Sequence, residues 1–436
     1  MENNRNPIIS GQRRQDQPVW AGQEAYDALI GTFMVMMLML PILTLFFGAL
    51  MRMFIGQSKL VTYCIYGAYI VYVYSQYNRI ETNYYKYDSL VFSISIPLIV
   101  LGLSYLLFPE NRNCFSPNFV SLFCEVVLYI PIGVMSTYMR DWRKFLDKLG
   151  VCSVLTAVMG FVGINSLQMT RSFTYMNISN ALLPGFLAAW YLAYCKRKYG
   201  HFICAGLILY LQVTYGGRMS LFSCLIYMIL TSVNLMRRMR RRDEPIPTVI
   251  LFSIIVLPVL ACIAGLMGDA FIDLLASIGG RSVRLLLQGR ITAASGRDEL
   301  YIFVKDIILH MKPFQMYGLF GDRMQLQKYM SYNDAVSGYA HNLIYELIIE
   351  FGWILAIALL LIVGIRLVRR YIRSQSDDYL DALVFFVCLI LIRLMVSGSW
   401  LVEGQFFLLL LIIYNRNDFE RWDWRVDERE GPHTKL

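Results

Sequence analysis

Twelve stretches of apolar residues, most of them near the length of a membrane-spanning helix, dominate this chain of 436 residues. An α-helix needs about 20 apolar residues to cross the roughly 30 Å hydrocarbon core of a bilayer. Lipid offers no hydrogen-bond partners to exposed main-chain groups, so such stretches cross it as helices. The pattern therefore predicts an all-α, polytopic integral membrane protein with about twelve transmembrane helices. The stretches cover approximately residues 28–50, 60–74, 90–108, 119–138, 149–167, 181–195, 201–215, 219–235, 248–267, 342–365, 380–397 and 401–414.

The composition excludes three other classes of protein. Apolar residues make up 57% of the chain and charged residues 16%, whereas a soluble domain carries about 25% charged residues. A water-soluble enzyme, a disordered chain and a disulfide-bonded scaffold are therefore excluded. The nine cysteines lie almost all within apolar stretches and form no CxxC pair. We interpret them as small buried side chains rather than as metal ligands.

The positive charge follows a membrane topology rather than a nucleic-acid site, although the net charge is +9. With a cytoplasmic N-terminus, 26 of the 40 Lys and Arg residues fall in the seven inner segments and 5 in the five short outer connections, as the positive-inside rule requires. We therefore predict that both termini are cytoplasmic and that nucleic acid is not a partner. The predicted organisation is a cytoplasmic tail (1–27), about nine helices (28–267), a long extracytoplasmic loop (268–340), about three helices (341–414) and a cytoplasmic tail (415–436).

The loop at 268–340 is the only sizeable segment outside the predicted membrane. Within it, SGRDELYIFVKDIILHMKPF predicts a short helix that Pro313 stops, and MYGLFGDR predicts a tight turn. Arginine side chains bind phosphate oxygens in pairs, so the loop indicates an anionic, lipid-linked substrate. The alternative is a solvated basic surface, which charge alone favours. The basic residues of the loop are Arg281, Arg284, Arg290, Arg297, Lys305, Lys312, Arg323 and Lys328.

Three motifs, in this order, resemble those of the bacterial O-antigen polymerase and ligase superfamily. They are TYGGRMSL, with Arg218 at the outer mouth of a predicted span; SGRDELYIFVKDIILHMKPFQMYGLFGD, in the loop; and AHNLIYELIIEFGW, where His341 and Asn342 enter a span. The motifs cover approximately residues 214–355, and the predicted topology agrees with the family. The chain departs from the ligase pattern at Leu355, where that pattern has a small residue or tyrosine.

The resemblance implies a GT-C-like fold and a metal-independent glycosyltransferase without a cofactor, in the cytoplasmic (inner) membrane of a bacterium. Such a polymerase transfers an undecaprenyl-diphosphate-linked glycan chain onto a lipid-linked repeat unit at the outer face, in O-antigen, capsule or exopolysaccharide biosynthesis. One alternative is an O-antigen ligase, which moves the finished chain to lipid A core or another acceptor. The other is a saccharide-lipid transporter or flippase. The implied partners are lipid-linked oligosaccharides and membrane lipids, with a chain-length regulator and a flippase as further candidates.

The resemblance also implies which residues act. A sugar hydroxyl is a poor nucleophile that needs a base poised near neutral pH. His341, at the predicted membrane surface beside the basic loop, is the candidate base; the alternative is a histidine at a helix start that bonds to the backbone or to a lipid headgroup. Arg218 and Arg297 would hold the diphosphate and stabilise its developing charge in place of a metal; the alternative for both is an ordinary arginine at a helix end. The candidate substrate-binding residues are Arg281, Arg284, Arg290, Asn342, Gly318 and Gly321.

Charged residues inside predicted spans are costly, and each is therefore a candidate for function. Glu350 lies nine residues after His341, and Arg393 lies at a similar depth in its own span. We predict that Glu350 and Arg393 form an ion pair that fixes the helix bearing His341. Glu125 is a further candidate, and the sequence indicates no partner for it. Polar contacts between packed helices are the alternative for all three.

Overall fold

The computed structural model describes residues 19–55, 59–77, 87–215, 217–243, 297–328, 338–374, 376–396 and 398–415. Within these ranges the chain is helical and contains no strand, which confirms the all-α class. The predicted span at 248–267 lies outside the described residues. So does much of the predicted outer loop, including Arg281, Arg284 and Arg290.

The first half of the described chain is a series of helices separated by short connections. Two of the connections are π-helical (Glu125–Tyr129 and Tyr191–Cys195), and one is a 3-10 turn (Pro109–Asn111). The helices are α1 (Val19–Ile55), α2 (Lys59–Tyr77), α3 (Tyr87–Leu107), α4 (Arg112–Cys124), α5 (Ile130–Ser136), α6 (Arg143–Asn165), α7 (Met169–Ser172), α8 (Tyr175–Trp190), α9 (His201–Tyr215) and α10 (Arg218–Arg241).

The second half contains shorter helices, with a π-helical segment at Val387–Leu391 and a 3-10 turn at Trp400–Val402. The helix at 297–310 confirms the one predicted in the loop, and it ends before Pro313. The helices are α11 (Arg297–His310), α12 (Gly321–Gln327), α13 (Leu343–Phe351), α14 (Trp353–Arg373), α15 (Asp377–Phe386), α16 (Ile392–Leu394) and α17 (Gln405–Ile413).

The apolar helices are compatible with a protein embedded in a membrane. Large apolar side chains face outward on α14, where Leu361 and Ile362 are more than half exposed. Faces of this kind suit contact with lipid rather than water. The total of about twelve spans stays a prediction. Five described helical segments are long and apolar enough to cross a membrane: Gly22–Phe54, Pro109–Ser136, Arg143–Asn165, Tyr175–Cys195 and Met219–Arg241.

The predicted single span at 342–365 is two helices, because Gly352 separates α13 from α14. Gly352 adopts φ 78 and ψ 164, a conformation that only glycine occupies readily. A Cβ atom at this position would lie 2.7 Å from the main-chain oxygen of Gln315. The break therefore allows the segment that follows α11 to pass against the end of α13.

The helices pack around an aromatic and aliphatic core. α1 packs on α6, α6 packs on α8 and α9, and α10 packs on α15. Phe33, Phe145 and Phe385 are completely buried where these helices meet. At one end of α10, Arg238 pairs with Asp377 (3.2 Å) and Asp381 (2.6 Å). These ion pairs join α10 to the start of α15 on the side that the sequence predicts to be cytoplasmic.

Candidate functional site

His341 lies immediately before α13 in a left-handed backbone conformation, with φ 52. In residues other than glycine such conformations cost on the order of 1–3 kcal/mol and persist where surrounding contacts impose them. Asn342 supplies one set of contacts, because its Oδ1 accepts the N–H groups of Ile344 (3.0 Å) and Tyr345 (3.2 Å) and caps the helix. Its Nδ2 donates to the main-chain oxygen of Met395 (2.8 Å). Asn342, a predicted substrate-binding residue, thus engages both polar atoms of its side chain with the main chain.

An aromatic ring and a guanidinium accompany His341. The ring centroids of Tyr339 and His341 lie 3.7 Å apart. Arg323 Cζ lies 5.5 Å from the centroid of Tyr339 and 5.0 Å from that of Phe320, and such cation–π contacts hold a guanidinium without neutralising it. Arg323 is only 7% exposed, and its Nε finds no hydrogen-bond acceptor among the described residues. A buried donor without an acceptor is costly, so Arg323 is well suited to bind an anionic group.

Residues from distant parts of the chain complete this region. Asn118, on α4, accepts a long hydrogen bond of 3.5 Å from Arg323 Nη1. Tyr301, on α11, donates to the main-chain oxygen of His341 at 3.5 Å and packs edge-on against Tyr345, with 6.1 Å between ring centroids. Helices α4 and α11, which are far apart in sequence, therefore both contribute contacts to this region.

Three buried carboxylates meet where α12 approaches α13. The group consists of Asp322, Glu346 and Glu350, called here the carboxylate cluster, and each member is completely buried. One oxygen from each lies within 4.8 Å of the others, a separation at which like charges oppose full ionisation. Burial raises the pKa of Asp322 above the ordinary carboxyl value, although Arg323 and the N–H of Ala340 oppose this rise. Oxygens in this arrangement can hold protons or a hard cation.

Most oxygens of the carboxylate cluster accept hydrogen bonds from other residues. Five of its six oxygens accept a hydrogen bond, and Asp322 Oδ1 accepts none from the described part of the chain. The cluster therefore ties several loop segments to α13. The donors are Ala340 N–H to Asp322 (2.8 Å), Phe320 N–H and Trp400 Nε1–H to Glu350 (2.8 and 2.9 Å), and Ser399 Oγ–H and Trp400 N–H to Glu346 (3.3 Å for Trp400).

The predicted ion pair between Glu350 and Arg393 is wrong. Arg393 pairs instead with Glu403, and Glu350 is held by Phe320 and Trp400. The predicted depth of a residue in the membrane does not identify the partner of Arg393, because the connection before α17 folds back and brings Glu403 to it. Glu350 still fixes α13, through these other contacts.

Gly318 and Gly321 form the predicted tight turn, with Gly321 N–H donating to Gly318 oxygen at 2.9 Å. Gly318 has φ 73, and a Cβ atom there would lie 2.2 Å from the ring of Phe108. Its own N–H donates to the main-chain oxygen of Glu350 (3.0 Å). The structure thus gives Gly318 a conformational and packing role beside the carboxylate cluster.

The structure describes the backbone of two predicted phosphate-binding arginines, Arg218 and Arg297. Arg218 begins α10 and Arg297 begins α11, but the side chains of both lie outside what the structure describes. Of the other predicted residues, His341 and Asn342 lie together at the start of α13, and Glu350 lies near its other end, beside the turn at Gly318.

Sequence reasoning missed three residues of this region. It names Arg323 only as one basic residue of the loop and does not single out Asp322, whereas both are buried. It does not single out Glu346, which lies four residues before Glu350. That spacing places the two carboxylates on one face of a helix, and this signal could have found the pair.

Comparison with family models, curated proteins and solved structures found no match. The chemistry of the site therefore follows from its own groups. The imidazole of His341 can take up a proton near neutral pH, and the guanidinium of Arg323 can bind phosphate oxygens. Tyr339 and Tyr301 present amphipathic rings beside them. Together these groups can bind a phosphorylated, hydroxyl-bearing ligand and move one of its protons.

Proposed function

We propose that this protein is a polysaccharide polymerase. It would transfer an undecaprenyl-diphosphate-linked glycan chain onto a lipid-linked oligosaccharide repeat unit at the outer face of the cytoplasmic membrane. The observation that carries the proposal is the arrangement of His341, Tyr339 and Arg323 at the start of α13. An imidazole and a guanidinium lie against one aromatic ring there. The motifs at 214–355 resemble those of O-antigen polymerases and supply the class of substrate.

The reaction needs a base and a cation, and the proposed site has both. The oxygen of an acceptor sugar hydroxyl attacks the anomeric carbon of the donor chain, while the bond from that carbon to the diphosphate oxygen breaks. His341 takes the hydroxyl proton as general base. Arg323 stabilises the charge that develops on the departing lipid diphosphate. Arg218 and Arg297 are proposed to share this role, with Arg281, Arg284 and Arg290 as further substrate contacts.

The rings beside His341 suit a carbohydrate. Tyr339, Tyr301 and Tyr345 combine apolar faces with hydroxyl groups, and none of the three is fully buried. A sugar ring placed on these faces brings a hydroxyl towards the imidazole. Holding the two reacting groups in this way lowers the barrier by removing the entropy cost of bringing them together.

The proposal places this site on the outside of a bacterial inner membrane, with both termini in the cytoplasm. The basic residues at the end of α10 support that orientation, because Lys and Arg concentrate on the cytoplasmic side. Lipid-linked oligosaccharides and membrane lipids are the proposed partners. A chain-length regulator and a flippase would act before or beside the polymerase.

Deletion of the gene in its own bacterium tests the proposal through the lipid-linked products that remain. Single repeat units exposed at the outer leaflet are expected, because the elongation step is lost. Long lipid-linked chains that never reach their acceptor would instead identify a ligase. Repeat units confined to the inner leaflet would identify a transporter, and either of these results would contradict the proposal.

A further inference from the structure

The segment 317–322 contacts the end of α13 and also the residues just before its start. At the far end, Tyr317 N–H donates to Ile349 oxygen (3.1 Å) and Gly318 N–H donates to Glu350 oxygen (3.0 Å). At the near end, Asp322 Oδ2 accepts the N–H of Ala340 (2.8 Å). Ala340, whose N–H donates this hydrogen bond, directly precedes His341.

Two non-glycine residues of this region have left-handed backbones, and a member of the carboxylate cluster adjoins each. Phe320 has φ 62, and its own N–H donates to Glu350. His341 has φ 52, and the N–H of the preceding residue donates to Asp322. Strained backbones persist only where their surroundings fix them. These two hydrogen bonds are therefore part of what imposes the two conformations.

We infer that Asp322 is a positioning residue for His341, acting through the main chain of Ala340. The inference rests on the proposed function of His341 as the general base. Asp322 is completely buried, so water does not compete for its hydrogen bond. Glu346 and Glu350 do not reach Ala340, because their oxygens accept from Ser399, Trp400 and Phe320.

Two substitutions of Asp322 distinguish the effect of its acceptor oxygen from the effect of its charge. Like charges this close oppose the full ionisation of all three carboxylates. An amide at position 322 keeps an oxygen for Ala340 N–H and offers an N–H₂ group to the neighbouring carboxylates. A leucine of similar size keeps the packing volume and removes the acceptor. Both variants remove the charge and only Asp322→Leu removes the acceptor, so the hydrogen bond predicts a displaced His341 for Asp322→Leu alone.

The experiment compares Asp322→Asn and Asp322→Leu with wild type and with Asp306→Leu, which removes an exposed carboxylate of α11. The first readout is the rate at which diethyl pyrocarbonate modifies His341 as a function of pH, located by peptide mass spectrometry. We expect wild-type profiles for Asp322→Asn and Asp306→Leu and a displaced profile for Asp322→Leu. The second readout is elongation of lipid-linked repeats by the purified full chain. Here Asp322→Leu should lose roughly 10²-fold in kcat with little change in KM, as for a misplaced catalytic group.

A folded Asp322→Leu protein with the wild-type modification profile and kcat would overturn the inference. If Asp322→Leu does not fold, Asp322→Asn decides the matter: a folded amide variant with a displaced His341 profile would mean that the charge, not the hydrogen bond, acts. The modification profile does not depend on activity. If the wild-type protein elongates nothing, the proposed function fails while the placement of His341 is still tested.

Discussion

Arg393, on α16, forms its ion pair with Glu403, which lies ten residues further along the chain and two residues before the start of α17. Arg393 is only 3% exposed. Breaking a buried pair by removing one partner costs about 3–5 kcal/mol, because the other charge is left buried. The Glu403–Arg393 pair therefore fixes the connection before α17 to α16.

Charge reversal tests this pairing. Arg393→Glu alone should lower the melting temperature of the protein in detergent, and Arg393→Glu with Glu403→Arg should restore much of it. Arg393→Glu with Glu350→Arg is the matched control and should restore none, because Glu350 bonds to Phe320 and Trp400. Rescue by the Glu350 reversal instead would contradict the structure.

Replacing Glu125 by glutamine should change the melting temperature in the opposite direction to replacing Glu403. It is 3% exposed, and its Oε1 accepts no hydrogen bond from the residues that the structure describes. Burying a polar group without a partner is costly, so Glu125→Gln should keep or raise the melting temperature. Glu403→Gln, which deprives Arg393 of its carboxylate, should lower it. A large loss of stability from Glu125→Gln would show that this carboxyl has an essential partner.

The stability of the protein should depend on pH through Asp322. Burial raises the pKa of Asp322 in the folded protein, so the folded state holds this proton more tightly than the unfolded chain. The protonated carboxyl of Asp322 therefore contributes its full share of folding stability below the pKa of the unfolded chain. This contribution is lost as the pH rises through the pKa of Asp322 in the folded protein. Asp322→Asn should flatten the melting temperature across this pH window. An unchanged slope in the variant would show that Asp322 does not titrate there.

Two neighbouring aspartates at the start of α15 should differ in their effect on stability. Asp381 is 1% exposed and pairs with Arg238, so Asp381→Ala should cost about 3 kcal/mol of unfolding free energy. Asp378 pairs with Lys196 at 3.2 Å but is one-third exposed, and Asp378→Ala should cost less than about 1 kcal/mol. Thermal unfolding of both variants in the same detergent measures the difference. Equal losses would contradict the burial of the Arg238 pair.

Local signals in the sequence predicted the helix at 297–310 and the turn at Gly318, because a cap, a proline and glycines act over a few residues. They could not predict the partner of Arg393. That pairing depends on the rotation of one helix and on the return of the chain at 398–404. The break at Gly352 was missed for a similar reason, since the close approach of Gln315 that requires glycine comes from the loop. Asp322 and Arg323 could not be singled out, because charge alone does not reveal which residues of a loop are buried.

Elongation of lipid-linked repeat units by the purified protein, without an ion gradient, tests the central claim most directly. Wild type and His310→Ala, which removes an exposed histidine on α11, should elongate equally well. His341→Ala should insert and fold normally but lose about 10²-fold or more in rate, the usual contribution of a general base. Elongation by His341→Ala at the wild-type rate would contradict the account.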